Sequence, residues 1–384
     1  MVRRLPLAIV NPSTSGAEQA RRENPRPGEP TSQRVPLANH TTLRLGGPPA
    51  ELVVAERPEE IADAVRAADA AGKRLLVLGG GSNVVIGDAG FDGLVVRIAT
   101  RGCSYDSISD GRVQLTVEAG EDWDDVVADT VRKGLGGLEC LSGIPGLTGA
   151  TPVQNVGAYG VEVAERLVSV DLLDRRSGQV RTVPAEDLGL AYRSSVLKHN
   201  DEAVVLRVRF LLRDDGLSEP IKYAELARTL GVEPGEQVGV AEAREAVLEL
   251  RRGKGMLLDP EDRDTWSAGS FFTNPVVPPD EVDAVLARIR ERVGPEQRIP
   301  QFPAPGGTKL SAAWLIERAG FPKGYPGEEA PVRLSTKHTL ALTNRGGATT
   351  EDLLALAREV RDGVRKAFGV SLVPEPVLVD CSLE

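Results

Sequence analysis

The sequence is short of everything from which a disulfide scaffold, a metal centre or a membrane span is made. Its 384 residues include three cysteines and three histidines. Cys103, Cys140 and Cys381 are scattered, and an odd set of distant thiols suits a reducing compartment better than a disulfide framework. Neither they nor His40, His199 and His338 fall at ligand spacing, so no metal is expected. No apolar run approaches the ~20 residues of a spanning helix. The short apolar stretch behind Arg3 and Arg4 is interrupted by Pro6, too weak for a secretion signal. A cytoplasmic protein without membrane attachment is expected. Positive charge is scarce as well: 46 Lys and Arg stand against 56 Asp and Glu, a net charge of -10. That balance excludes broad attraction to nucleic acid or anionic lipid, leaving only a local basic cluster for an anionic small molecule.

Glycine is what the chain has in quantity, with 41 residues beside 27 prolines. Residues 141–160, LSGIPGLTGATPVQNVGAYG, carry Gly143, Gly146, Gly149, Gly157 and Gly160 with Pro145 and Pro152 and no charge. A helix would lose roughly 1 kcal/mol at each interior glycine and about 3 at each proline, so irregular backbone is expected. Such backbone brings main-chain N–H groups close to a ligand, and Thr148, Thr151, Gln154, Asn155 and Tyr159 offer hydrogen bonds to a flat heterocycle. A second loop, Gly79-Gly80-Gly81-Ser82-Asn83, follows an apolar strand, the usual place for ligands in α/β sheets. It is not a dinucleotide fingerprint, because Val84 stands where G-x-G-x-x-G needs a glycine, and no G-K-[ST] phosphate loop occurs.

At this length two or three domains are expected. Residues 1–30, rich in Pro, Ser, Glu and Arg, read as a disordered tail. A strand over 52–55, a helix from Pro58 to Gly72 and a strand over 75–78 form a βα-β unit. Residues 94–98 and the alternation of Val113, Leu115, Val117 and Ala119 read as strands of a second unit. A helical stripe at Trp123, Val126, Val127 and Val131 and strands over 167–173, 180–183 and 204–212 follow. A helix over 240–252 reads as a bridge between domains. Helices are expected over 281–293, 312–319 and 350–368, and a returning strand over 371–379. Ser195 to Lys198 spells S-x-x-K, but the S-D-N and K-T-G partners of acyl-transferring enzymes are missing.

The two glycine blocks, together with Tyr192-Arg193-Ser194-Ser195, Gly269-Ser270-Phe271-Phe272-Thr273-Asn274-Pro275, the block from Lys309 to Ile316, and Pro374-Glu375, resemble the UDP-N-acetylenolpyruvoylglucosamine reductase family. The blocks keep the family order from about Asn39 to Val377, which makes the match specific. The resemblance implies an α/β (α+β) fold: a two-subdomain FAD-binding fold of the vanillyl-alcohol-oxidase-like type plus a C-terminal substrate-binding domain. The boundaries it suggests are 31–105 with 371–384 returning to it, 106–260, and 261–370. It implies non-covalent FAD, NADPH as co-substrate, UDP-N-acetylglucosamine enolpyruvate as substrate, and a monomer. By resemblance Gly79, Gly80, Gly81, Ser82, Asn83, Ser142, Gly143, Ile144, Pro145, Gly146, Gly149, Ala150, Gln154, Asn155, Gly157, Ala158, Tyr159 and Gly160 hold the flavin. Ser270 is the implied proton donor, Arg193 the partner of the substrate carboxylate, and Glu375 the acid that stays protonated in an apolar site. Tyr192, Tyr223, Lys254, Asn274 and His338 are the implied substrate contacts. Met256 stands where the family has a substrate lysine, with Lys254 two residues earlier. The alternatives are an FAD-dependent oxidase of a small alcohol, or a nucleotide-sugar binding protein without catalysis.

Overall fold

The computed structural model describes residues 35–384; the tail expected over 1–30 lies outside them. Strand β1 (Pro49–Ala55) leads into helix α1 (Pro58–Ala70), then β2 (Leu75–Leu78), β3 (Val84–Ile86) and β4 (Phe91–Ile98). Pro58 opens α1, where no amide partner is needed, and the Glu60 carboxylate accepts the Glu56 and Arg57 N–H groups. Ile61, Ala62, Val65 and Ala68 form its buried face. The sheet is parallel in the order β1-β4-β2, so the expected βα-β unit is interrupted. The strand over 94–98, expected in the second unit, is the centre of the first. Its Leu94, Val95, Val96 and Ile98 are buried on both faces, which suits a central parallel strand better than its half-covered neighbours.

The second sheet is antiparallel, in the order β10-β9-β11-β6-β5. Its strands are β5 (Cys103–Ile108), β6 (Arg112–Glu118), β9 (Leu167–Asp174), β10 (Val180–Pro184) and β11 (Ala203–Arg213). Helix α2 (Trp123–Arg132), capped by the Asp122 carboxylate, and the two-residue strands β7 (Gly157–Ala158) and β8 (Val161–Glu162) lie between β6 and β9. β5 escaped the sequence reading because this edge strand is mostly exposed and carries no apolar alternation. After β11 come α3 (Ala224–Leu230) and α4 (Val240–Gly253). The helix expected to bridge domains instead buries Ala246 and Val247 in this unit's core, beside Leu226 of α3.

The third unit contains β12 (Val276–Val277), α5 (Val282–Val293), β13 (Gln301–Ala304), β14 (Gly307–Leu310), α6 (Ala312–Ala319), β15 (Val332–Leu334), β16 (Leu342–Asn344) and α7 (Thr350–Phe368). α7 starts at a reciprocal Thr349–Asp352 cap and ends at Gly369, whose φ of 75° needs no Cβ. Its Leu353, Ala357, Val360 and Val364 face the core. The chain closes with β17 (Val377–Val379), which pairs in parallel with β3, Val377 opposite Val84. The strand expected over 371–379 is therefore confined to its last three residues. Pro374 and Pro376 have no N–H to give a ladder, and Pro374 makes only an isolated bridge to Phe272. No helix among the described residues is long and apolar enough to cross a membrane.

Candidate active site

The two glycine loops touch each other through their backbones. A Cβ on Gly80 would lie 2.7 Å from the Gly146 Cα, and one on Gly146 would lie 2.6 Å from the Ser82 Oγ. Asn83 donates from Nδ2 to the Gln154 Oε1 at 2.5 Å, joining the loops by a side-chain bond as well. The longer loop is fastened from behind: Trp123 donates its backbone N–H to Gly146 and its indole N–H to Leu141, both at 3.0 Å. Gly143 N–H reaches the Asp124 carboxylate at 2.6 Å, and that carboxylate is also held by Arg244. Such a cradle, open only because side chains are missing, fits a flat ligand pressed against main chain. Gly80→Ala should wedge the loops apart. Overpacking of this kind costs about 1–3 kcal/mol, or roughly 5- to 150-fold in flavin affinity, read by titrating FAD into apoprotein.

Between the loops and the third unit lies a cleft of about 410 Å³. Gly79, Gly80, Gly81, Ser82, Asn83, Ile144, Pro145, Gly146, Ala150, Gln154, Gly157 and Ala158 line it. The other sequence-predicted flavin residues, Ser142, Gly143, Gly149, Asn155, Tyr159 and Gly160, are not among its lining residues. Asn155 is committed to protein: its amide donates to Glu162 and to the Ala191 carbonyl, and its oxygen accepts the Ala164 N–H. Its φ of 47° and burial mark it as a residue that shapes the loop. Ser142 likewise donates to the Glu139 carbonyl. Among the described residues, no histidine or cysteine lines the cleft.

Ser270, Arg193 and Glu375, from three distant segments, all line this cleft. Backbone pairing brings two of them together: Glu375 N–H donates to the Phe271 carbonyl at 2.8 Å. Arg193, at φ 53°, turns its guanidinium inward, donating to the Gly157 carbonyl and standing with Nε 3.5 Å from a Glu375 oxygen. Burial pushes the Glu375 carboxyl up from the ordinary glutamate range, and the nearby Arg193 and Lys198 only partly oppose it. A raised folded-state pKa means that stability is greatest below the unfolded value near ~4.3 and is lost as pH rises through the folded value. Glu375→Gln should therefore flatten the acid-to-neutral decline in Tm, with its gain over the native chain larger at pH 8 than at pH 4.

The expected substrate residues lie outside the cleft lining. Tyr223 stacks edge-on against Tyr159 at 5.5 Å, and the Lys254 ammonium sits 5.9 and 6.0 Å from their ring centres while pairing with Glu225. Tyr192 is 47% exposed, with the Lys309 ammonium 4.7 Å from its ring. Asn274 accepts the Ala312 N–H at the start of α6. His338 lies beside Ser270. Met256 lines the cleft.

Two cations escaped the sequence reading. Arg251 lines the cleft and is half-buried, with a buried Nε lacking a partner while another nitrogen donates to the Met256 carbonyl at 2.7 Å. It lies in the last turn of α4, in an Arg-Arg-Gly-Lys run whose pattern does not set it apart from its neighbours, and its buried Nε distinguishes it. An orphaned buried guanidinium donor fits an anionic or carbonyl-rich ligand. Lys198 also lines the cleft and donates to the Arg193 carbonyl. Ser195 donates to the Val153 carbonyl, so the S-x-x-K pair is structural.

Comparison with known proteins agrees with this geometry. Residues 49–184 match an FAD binding domain, and residues 259–379 match the UDP-N-acetylenolpyruvoylglucosamine reductase C-terminal domain. The chain is 74% identical over 362 residues to UDP-N-acetylenolpyruvoylglucosamine reductase of Saccharopolyspora erythraea, covering 94% of this chain and 99% of that one. It is 60% identical to that of Nocardia farcinica, covering 93% and 91%. A crystal structure of the Thermus caldophilus reductase superposes with a TM-score of 0.61 at 26% identity, over 91% of this chain and 100% of that one. Sequence likeness over nearly the whole length, the paired domains and the cleft between glycine loops lead to one assignment: the chain belongs to the UDP-N-acetylenolpyruvoylglucosamine reductase family.

Proposed function

We propose that this chain reduces the enolpyruvyl ether of UDP-N-acetylglucosamine to UDP-N-acetylmuramate, a step of peptidoglycan precursor synthesis, with NADPH as the electron source. The reading is supported above all by the convergence of Ser270, Arg193 and Glu375 on the cleft that the two glycine loops border. FAD bound there would take hydride from NADPH and pass it to the terminal carbon of the enolpyruvyl group. The chain's own residues then answer two needs of the substrate. Negative charge develops on the carbon beside the carboxylate, and a guanidinium fork at Arg193 holds that carboxylate as the charge spreads into it. Burial raises the proton affinity of Glu375, which favours a neutral donor where an ionised carboxylate would repel the dianion. Ser270 supplies the proton to the carbon, and buried Phe271 and Phe272 behind it exclude water.

Arg251 and the loop amides are the donors available to the flavin, and no covalent link is required. The Tyr159, Tyr223 and Lys254 cluster is the site we assign to the nucleotide end, with Lys254 replacing the lysine absent at Met256. The purified protein should be yellow, releasing its flavin on denaturation. NADPH oxidation should depend on the enolpyruvyl nucleotide sugar; a colourless protein, or NADPH oxidation indifferent to that substrate, would refute the assignment.

A further inference from the structure

The Ser270 Oγ and the His338 Nε2 lie 3.2 Å apart. Their meeting is built into the backbone, because Phe271 N–H donates to the Leu340 carbonyl at 2.7 Å while its own carbonyl accepts Glu375 N–H. The histidine loop is closed from inside by fully buried Ser335, whose Oγ accepts the N–H groups of Lys337 and His338 at 3.0 and 3.2 Å. Ser270 lines the cleft and His338 does not. The sequence resemblance made this histidine a substrate contact; its side-chain partner in the fold is the serine.

We propose that His338 is a positioning residue for Ser270, orienting the serine hydroxyl towards the substrate carbon and restoring its proton afterwards. This rests on the reaction proposed above. For Oγ–H to point at the substrate, Oγ must accept from Nε2–H, so the ring carries its proton on Nε2. The serine O–H bond breaks as the C–H bond forms beside the substrate carboxylate, and the electron pair stays on Oγ. Nε2–H then gives its proton to Oγ while Nδ1 takes one from water. The imidazole starts and ends neutral, its proton moved from one nitrogen to the other, and the hydroxide left by the water is neutralised by solvent.

The charges around the ring agree with this direction of transfer. Burial pushes His338 down to about 4, and the charges of Lys254, Lys323 and Arg251 push the same way. In hydrolytic triads an acidic residue on the far nitrogen makes histidine a base. Here the charges acting on the ring are cations, which favours giving a proton over keeping one.

The test follows the two half-reactions of the holoenzyme by flavin absorbance in the wild type and in His338→Gln, whose amide can orient the serine but cannot relay. Flavin content and reduction by NADPH should be unchanged, serving as the folding control. The limiting rate of reoxidation at saturating enolpyruvyl nucleotide sugar should fall about tenfold or more, with substrate affinity altered by less than about twofold. In the wild type that limiting rate should stay level from about pH 5 to 8, because the ring is neutral throughout. Ser270→Ala combined with His338→Gln should be no slower than Ser270→Ala alone. A loss of affinity at unchanged limiting rate would make His338 a substrate ligand and overturn the proposal. So would additive losses in the double variant, or a rate rising towards acid through about pH 6.5 that persists in Glu375→Gln, the mark of a protonated histidine as donor. A wild-type enzyme that the nucleotide sugar does not reoxidise would overturn the functional assignment and this inference with it.

Discussion

In Ser270→Ala, reoxidation of the reduced enzyme by the enolpyruvyl nucleotide sugar should slow by about 10²- to 10⁴-fold, while reduction by NADPH stays within about twofold of the wild type. The asymmetry follows from what each half-reaction of the proposed reduction asks of the protein. Accepting hydride from NADPH needs a bound flavin and an open cleft, and a missing hydroxyl disturbs neither. Passing hydride to the substrate creates a carbanion that must be protonated. The side-chain partner found for Ser270 Oγ is His338, so its removal should cost only about 0.5–1.5 kcal/mol of stability. A water in the vacated space would sustain a residual rate. Stopped-flow measurement of both half-reactions gives the answer, and equal losses would remove Ser270 from the donor role.

Arg193→Ala should lower the limiting reoxidation rate by about 10²- to 10³-fold, the usual consequence of deleting a donor aimed at developing charge. Two further effects distinguish this variant from a general loss of packing. Arg193 is one of the two cations that hold the Glu375 pKa down against burial, so its removal should move that carboxyl further upward. Arg193→Lys should recover little, since an ammonium on a flexible stem cannot reproduce the two-pronged contact of a guanidinium with a carboxylate. The check is the pH dependence of reoxidation in both variants. An Arg193→Lys enzyme at nearly full rate would show that charge alone suffices.

Elements whose determinants are close in the chain were readable residue by residue. Helix α7 announces itself through Thr349 and Asp352 at one end, Gly369 at the other, and Leu353, Ala357, Val360 and Val364 between. Helix α6 and strand β2 occupy the ranges that apolar periodicity and breakers predict. The irregular course of residues 141–160 follows from glycine and proline alone. Edge strand β5, largely solvent-facing, had no such pattern. The insertion of β4 between β1 and β2 could not be read either, because strand order is set by which strand can be covered on both faces.

For the site, residue order and motif resemblance named the serine, the arginine and the glutamate, and they named the two loops. Whether Asn155 spends its amide on a ligand or on Glu162 and Ala191 is decided by what surrounds it. The same holds for Arg251, whose Nε is buried without a partner, and for His338, which meets Ser270 only because Phe271 pairs with Leu340. Local periodicity, capping and turn preference act over a few residues and survive in the linear chain. Burial, a shifted proton affinity and a hydrogen bond between remote side chains come into being only when distant segments exclude water together.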